Sequence, residues 1–316
     1  MPDGIASGLQ EKRMGQETTK NGTKSKLNIR IPVFVAVFVL AIGVLVLFAV
    51  KKPKALFPAM FQEKKQILFL GDSNIAYDFS EKDIPQMLSE KMDVVAYNAA
   101  VGGTCAHHKN EPYPMESFYT MLDLANITKM METGDFTCVL RNKDMLDQGG
   151  DIRDKMMVLQ HLDYKAMDYV IIHYGINDYM AAAPLEGKHA NDDTSYAGSL
   201  RSSVIRLHKL CPDATVIISS IPFCWGYDKT NDEYISGLEY DYGGGTIDRY
   251  FEASKEVASE FGYVYFLDNL TDCVENTEVE ESPYHQDRVH YSQEGRELYV
   301  ERLSNLLREL DRNEES

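Results

Sequence analysis

A hydroxyl at Ser73, an imidazole at His290 and a carboxylate at Asp287 are the parts that acyl transfer requires, provided the chain can bring them together. Such chemistry needs a nucleophile, a base to take its proton, a carboxylate to orient that base, and donors aimed at the oxyanion that develops. Ser73 lies in "GDSN", directly after the apolar run "QILFL". "NAAVGGT" occupies 98–104, "GIND" 175–178 and "DRVH" 287–290. The backbone N–H groups of Ser73 and Gly103 and the side-chain amide of Asn177 can supply three oxyanion donors. Glycine suits position 103, where backbone must approach a ligand, and its spacing from Asn98 selects it over Gly102. Taken singly, each motif has a plain reading as a turn, a helix cap or a surface pair. Taken together they have an order, and each falls at a strand end or just before the last helix.

The elements that must position them follow from the hydrophobic pattern. "QILFL", "DVVAYNAA", "DYVIIHYG", "ATVIISSIPF" and "GYVYFLD" read as five short, nearly continuous apolar strands. Helical stretches separate them, near 82–91 with Ser80 as N-cap, near 195–210 and near 247–261. Leu298, Leu303, Leu306, Leu307 and Leu310 give the last segment the spacing of an amphipathic helix. Strands that lack polar alternation and are separated by helices imply a parallel sheet covered on both faces. The expected fold is therefore a three-layer α/β/α sandwich with a roughly five-stranded, flavodoxin-like sheet. Two segments interrupt the alternation: a Met-rich, mostly helical stretch at 107–165, and an aromatic, acidic, Gly-rich one at 225–246. Both follow strand ends, where they can overhang a site.

In these four blocks the chain resembles the SGNH hydrolase superfamily, the GDSL-like lipases and esterases. The resemblance spans 66–312. It implies Ser73 as nucleophile, His290 and Asp287 as the other triad members, and Ser73, Gly103 and Asn177 as the oxyanion hole. It implies the sandwich fold and no metal or organic cofactor. "HYSQEGRELY" continues the likeness into the last helix. Asn74 stands where the name-giving lipases have leucine.

Outside the blocks, residues 1–30 read as a disordered basic tail. The uncharged run "IPVFVAVFVLAIGVLVLFAV" at 31–50 is long enough for a single-pass transmembrane helix, and 51–64 reads as a stalk before a hydrolase domain at 65–316. The catalytic domain is expected outside the cell. Residues 1–54 hold nine Lys/Arg against three Asp/Glu, whereas the remainder holds 23 against 46. A domain that acidic repels polyanions, which sets aside nucleic acid as a partner. Five scattered cysteines without a C-x-x-C pair indicate no zinc site or dense disulfide framework. Sequons stand at Asn21, Asn126 and Asn269.

The expected activity is that of a serine esterase on a small-molecule or glycan ester, such as an acetylated cell-envelope glycan. An O-acetyltransferase on the same residues is the alternative, and a non-catalytic glycan-binding module is another. A metal-dependent phosphoesterase would need G-D-x-x-D and G-N-H-D/E blocks, which are missing. Among the remaining residues, His173 reads as a packed strand residue, His285 as a rival base, and Asp72 as a structural tie for its turn. His107 and His108 diverge too much to share a metal. Residues 191–193 read as a solvated helix start. Trp225 and the tyrosines near it suit either a sugar platform or packing.

Overall fold

The computed structural model describes residues 64–77, 82–109, 121–142, 146–147, 150–271 and 282–314. The chain divides after residue 62, and every element below belongs to the unit 63–316. The tail at 1–30, the apolar run at 31–50, nearly all of 51–64, Ser80, Cys273 and the sequon at Asn21 lie outside the described residues. Among the described residues no helix is long and apolar enough to cross a membrane.

Five parallel strands form one sheet: β1 (Gln66–Gly71), β2 (Val95–Asn98), β3 (Tyr169–His173), β4 (Thr215–Ser219) and β5 (Val264–Leu267). They lie in the order β2-β1-β3-β4-β5, the flavodoxin-like arrangement. The helices are α1 (Ser73–Ala76), α2 (Ile84–Met92), α3 (Leu124–Thr133), α4 (Thr137–Leu140), α5 (Ile152–His161), α6 (Ile176–Met180), α7 (Tyr196–Leu210), α8 (Ile247–Ser259) and α9 (Gln293–Glu314).

Alternate strand residues serve opposite faces, as the two-residue period requires. Leu68, Leu70, Val170, Ile172, Val216 and Ile218 pack with α3, α5, α7 and α8 on one side. Ile67, Phe69, Tyr169, Ile171 and Ile217 pack with α2 and α9 on the other. Each fully buried Ile, Leu or Phe contributes roughly 1.5–3 kcal/mol through its removal from water. Both strand faces are therefore apolar, and the strands read as continuous runs.

Local signals differ from expectation in places. α2 is capped by Asp83, whose carboxylate accepts the Gln86 N–H at 2.7 Å, rather than by Ser80. The segment from 225 is not an irregular loop: Trp225–Asp228 and Glu233–Ser236 pair as an antiparallel hairpin. The described part of 107–165 is mostly helical, as expected: it supplies α3, α4 and α5, and Leu146–Asp147 pairs with Gly150–Asp151 in a short antiparallel ladder. The four described cysteines are free thiols.

Candidate active site

The order of the sheet decides where a site can form. The chain reverses its direction of winding between β1 and β3, and the crevice beyond the carboxyl ends of those strands is where open α/β sheets hold ligands. Gly71 pairs with His173 in the last register position of β1 and β3, and the Asp72 N–H donates to His173 O at 3.2 Å. The serine turn thus starts from the sheet itself. Asp72 caps α1 by accepting the Asn74 N–H at 3.0 Å, the structural role expected of it. Its other oxygen, Oδ2, is buried without a hydrogen-bond partner. Burial raises the Asp72 carboxyl to about 7, opposed by the Asn74 N–H and the His290 ring.

His290 arrives from the other end of the chain. His285 and Tyr291 face each other across an isolated antiparallel bridge, and the Gln286 N–H donates to His290 O at 3.1 Å. This closes a short loop ahead of α9. His290 Nε2 lies 2.9 Å from Ser73 Oγ, and its Nδ1 lies 2.8 Å from Asp287 Oδ2. Asp287 Oδ1 accepts the N–H groups of Val289 and His290, each at 2.8 Å. Burial pushes the Asp287 carboxyl up, but the imidazole and the two N–H groups outweigh it and hold the group down at about 2. Asp287 is therefore ionised at neutral pH and only accepts. Nδ1 must carry the imidazole proton, which leaves Nε2 free to accept from the Ser73 hydroxyl.

The glycine turn comes alongside because β2 continues past its end, with the Val101 N–H donating to Gly71 O at 2.9 Å. The two glycines have separate reasons. A Cβ on Gly102 would fall 1.7 Å from the Tyr77 hydroxyl, whereas Gly103 is exposed and holds φ +74°, in the left-handed region. The "GIND" block ties this turn down: Asn177 Nδ2 donates to Thr104 O at 3.0 Å, and buried Asp178 accepts the N–H groups of Ala106 and His107 at 2.9 and 3.0 Å.

The remaining histidines separate cleanly. His285 is not a rival base, since Nδ1 is engaged with Ser282 Oγ at 3.0 Å and Nε2 with Phe223 O at 2.9 Å. His173 is packed in its strand, bonded to Ser219 Oγ at 2.9 Å, and burial lowers it to about 3. His107 and His108 pair with different carboxylates, Asp178 at 2.7 Å and Asp123 at 2.8 Å. Cys105, His107 and Asp178 bring donor atoms within 4.8 Å of one another. Burial and then Asp178 push the Cys105 thiol well up, and Asp178 is already bonded to the His107 ring and two N–H groups. That group pins a loop.

Trp225 serves packing: it is 7% exposed and meets Phe223 and His285 edge-on at 4.6 and 5.0 Å. Tyr234 is exposed, but the Arg288 guanidinium covers its ring at 3.7 Å and Tyr227 lies at 4.9 Å. The Trp225 N–H donates to Arg288 O at 3.0 Å. The hairpin therefore buttresses the loop that carries Asp287 and His290. Asp193, in the expected solvated helix start, is half-buried and pairs with Arg206 at 3.0 Å. Asn269 is buried with its amide donating to Ser219 and Ser220, so that sequon is closed to modification in the folded chain.

Asn74 is the residue that sequence reasoning passed over. Its Nδ2 donates to Val289 O at 3.1 Å and its Oδ1 accepts the Tyr291 N–H at 2.9 Å. The available signal was an unexplained polar residue at a position expected to be apolar.

Comparison with known proteins agrees with this architecture. A structure from Lactobacillus plantarum superposes with a TM-score of 0.53 at 18% identity, covering 78% of this chain and 98% of its own. A possible lipase from Chitinophaga pinensis gives 0.51 at 15% identity, with the same two coverages. These likenesses extend to the fold. No curated protein sequence matches the chain. The model of the GDSL-like lipase/acylhydrolase family matches residues 132–298, just over half of the chain, and includes Asn177, Asp287 and His290. The chain belongs to that family and is an ester-cleaving serine hydrolase.

Proposed function

We propose that Ser73, His290 and Asp287 are the catalytic triad of an acyl hydrolase that removes a small acyl group, such as acetyl, from a carbohydrate or cell-envelope glycan. The observation that carries this reading is the continuous chain of hydrogen bonds from Ser73 Oγ through His290 to Asp287. In the first step the Ser73 Oγ–H proton passes to His290 Nε2 as Oγ bonds to the ester carbonyl carbon. The carbonyl oxygen takes the negative charge, met by the N–H groups of Ser73 and Gly103 and by the Asn177 amide. Collapse breaks the bond to the alcohol oxygen, which receives the proton from His290. Water, deprotonated by the same nitrogen, then attacks the acyl-enzyme and releases the carboxylic acid and Ser73.

The acidity of the domain supports a neutral alcohol moiety over a polyanionic one. The uncharged run at 31–50 supports a single-pass anchor, with the hydrolase domain on the outer side of the membrane. Carbonate extraction of membranes tests the anchor: release of the full chain into the supernatant contradicts it.

The reaction is tested with Ser73→Ala on an aryl acetate and a panel of acetylated glycans. Turnover should fall to the background left by the oxyanion donors and binding, while the near-ultraviolet circular dichroism stays that of the wild type. Full activity in the variant removes Ser73 from the mechanism.

A further inference from the structure

Two side chains hold four backbone polar groups around His290, while its own carbonyl accepts the Gln286 N–H at 3.1 Å. Asp287 Oδ1 takes the N–H groups of Val289 and His290. Asn74 takes two more polar groups of the same segment, the carbonyl of Val289 and the N–H of Tyr291. Its amide thus behaves as a peptide unit of a neighbouring strand, bonded on both sides of the base. Asn74 is 3% exposed and sits directly after the nucleophile, on a turn that the sheet holds rigidly. The connection spans more than two hundred residues of sequence, from one reacting side chain to the other.

We propose that Asn74 is a positioning residue that sets the distance between Ser73 Oγ and His290 Nε2, a role that rests on those two being the reacting pair. An amide is required because the task needs one donor and one acceptor a fixed distance apart. Leucine has the same branched shape and can satisfy neither group, so both would be left buried and unpaired. Aspartate satisfies both only while protonated, when its O–H donates to Val289 O and its carbonyl accepts from Tyr291. Once ionised it can only accept, and Val289 O loses its donor.

The test measures the rate at which a fluorophosphonate labels Ser73 in the full-length chain, as a function of pH, alongside a thermal melt. The label reports nucleophile activation without knowledge of the natural ester. In the wild type the rate should rise with pH to a plateau. Asn74→Leu should label about 10–100-fold more slowly at the plateau, the scale of a misplacement near 1 Å. Asn74→Asp should approach the wild-type rate at the acid end and then lose it again as the pH rises, giving a bell in place of a plateau. A packing role alone would lower the melting temperature without adding that alkaline limb. A wild type that takes no label at Ser73 defeats the active-site reading itself, and the clamp with it. A labelled wild type with Asn74→Leu within twofold of it, or with Asn74→Asp sharing its plateau, overturns the clamp alone.

Discussion

The two chain segments that meet at the site are built in different ways. The Ser73 turn grows out of the sheet: Gly71 is in register with His173, the Asp72 N–H completes the ladder, and α1 starts at once. The loop bearing Asp287 and His290 has a single bridge of its own, between His285 and Tyr291. Beyond that bridge and the Trp225 N–H on Arg288 O, its shape comes from side chains: Asp287 and Asn74 on the inner side, and Tyr234 under Arg288 on the outer. A turn fixed by backbone hydrogen bonds, as at Ser73, tolerates side-chain change around it. The His290 loop tolerates it less, because side chains supply four of the hydrogen bonds on its backbone and few backbone bonds share that task.

The largest expected effect breaks the His290 loop from within. Asp287→Asn should lower kcat by about 10³–10⁴-fold, since the amide no longer fixes the imidazole tautomer or stabilises its cation. Steady-state kinetics on an aryl acetate checks this. A loss of less than tenfold would mean that another group orients His290.

A smaller effect belongs to the Ser73 turn and appears in stability. The folded Asp72 carboxyl is raised to about 7 from its ordinary 3.8, so between these values folding takes up a proton and stability falls as pH rises. The folded His173 imidazole is lowered to about 3 from its ordinary 6.5, so folding releases a proton there and stability rises with pH. Between pH 3.8 and 6.5 the two oppose each other. Asp72→Asn keeps the helix cap and removes one of them. Urea melts of that variant should show stability rising with pH by up to ~1.4 kcal/mol per unit more steeply than in the wild type. His173→Gln should tilt the dependence the other way. Parallel curves for all three proteins would mean that neither group is buried as described.

The smallest effect sharpens the comparison from the outer side. Tyr234→Ala removes the ring beneath Arg288, a contact worth about 0.5–1 kcal/mol at an exposed site. The expected drop in kcat is less than about fivefold, with KM unchanged. A drop in kcat beyond about 100-fold would give Tyr234 a direct part in the chemistry, in place of support.

Much of this was legible in the residues. The five apolar runs at 66–70, 93–100, 168–175, 214–223 and 262–268 each contain a strand of the parallel sheet, because strands covered on both faces need no polar alternation. The helical stretch read near 195–210 is α7, which runs from Tyr196 to Leu210 with Ser195 as its cap. The turn at Asp72 and the packed His173 were readable for the same local reason. The hairpin at 225–236 was not, since its aromatic and acidic residues show no clean two-residue period. Trp225 was equally open between platform and core, and only the contacts with Phe223 and His285 decide it.

By itself, the order of residues determined which side chains carry usable chemistry, that strands alternate with helices, and that the hydrolase domain is acidic. These properties are written in residue type and short-range spacing. Tertiary structure alone decided that Ser73 Oγ and His290 Nε2 stand 2.9 Å apart, that His285 is spent on the Phe223 carbonyl, and that Asn74 grips the backbone on both sides of His290. Those relations join points up to 217 residues apart, and a hydrogen bond across such a span leaves no periodic trace in the chain that makes it.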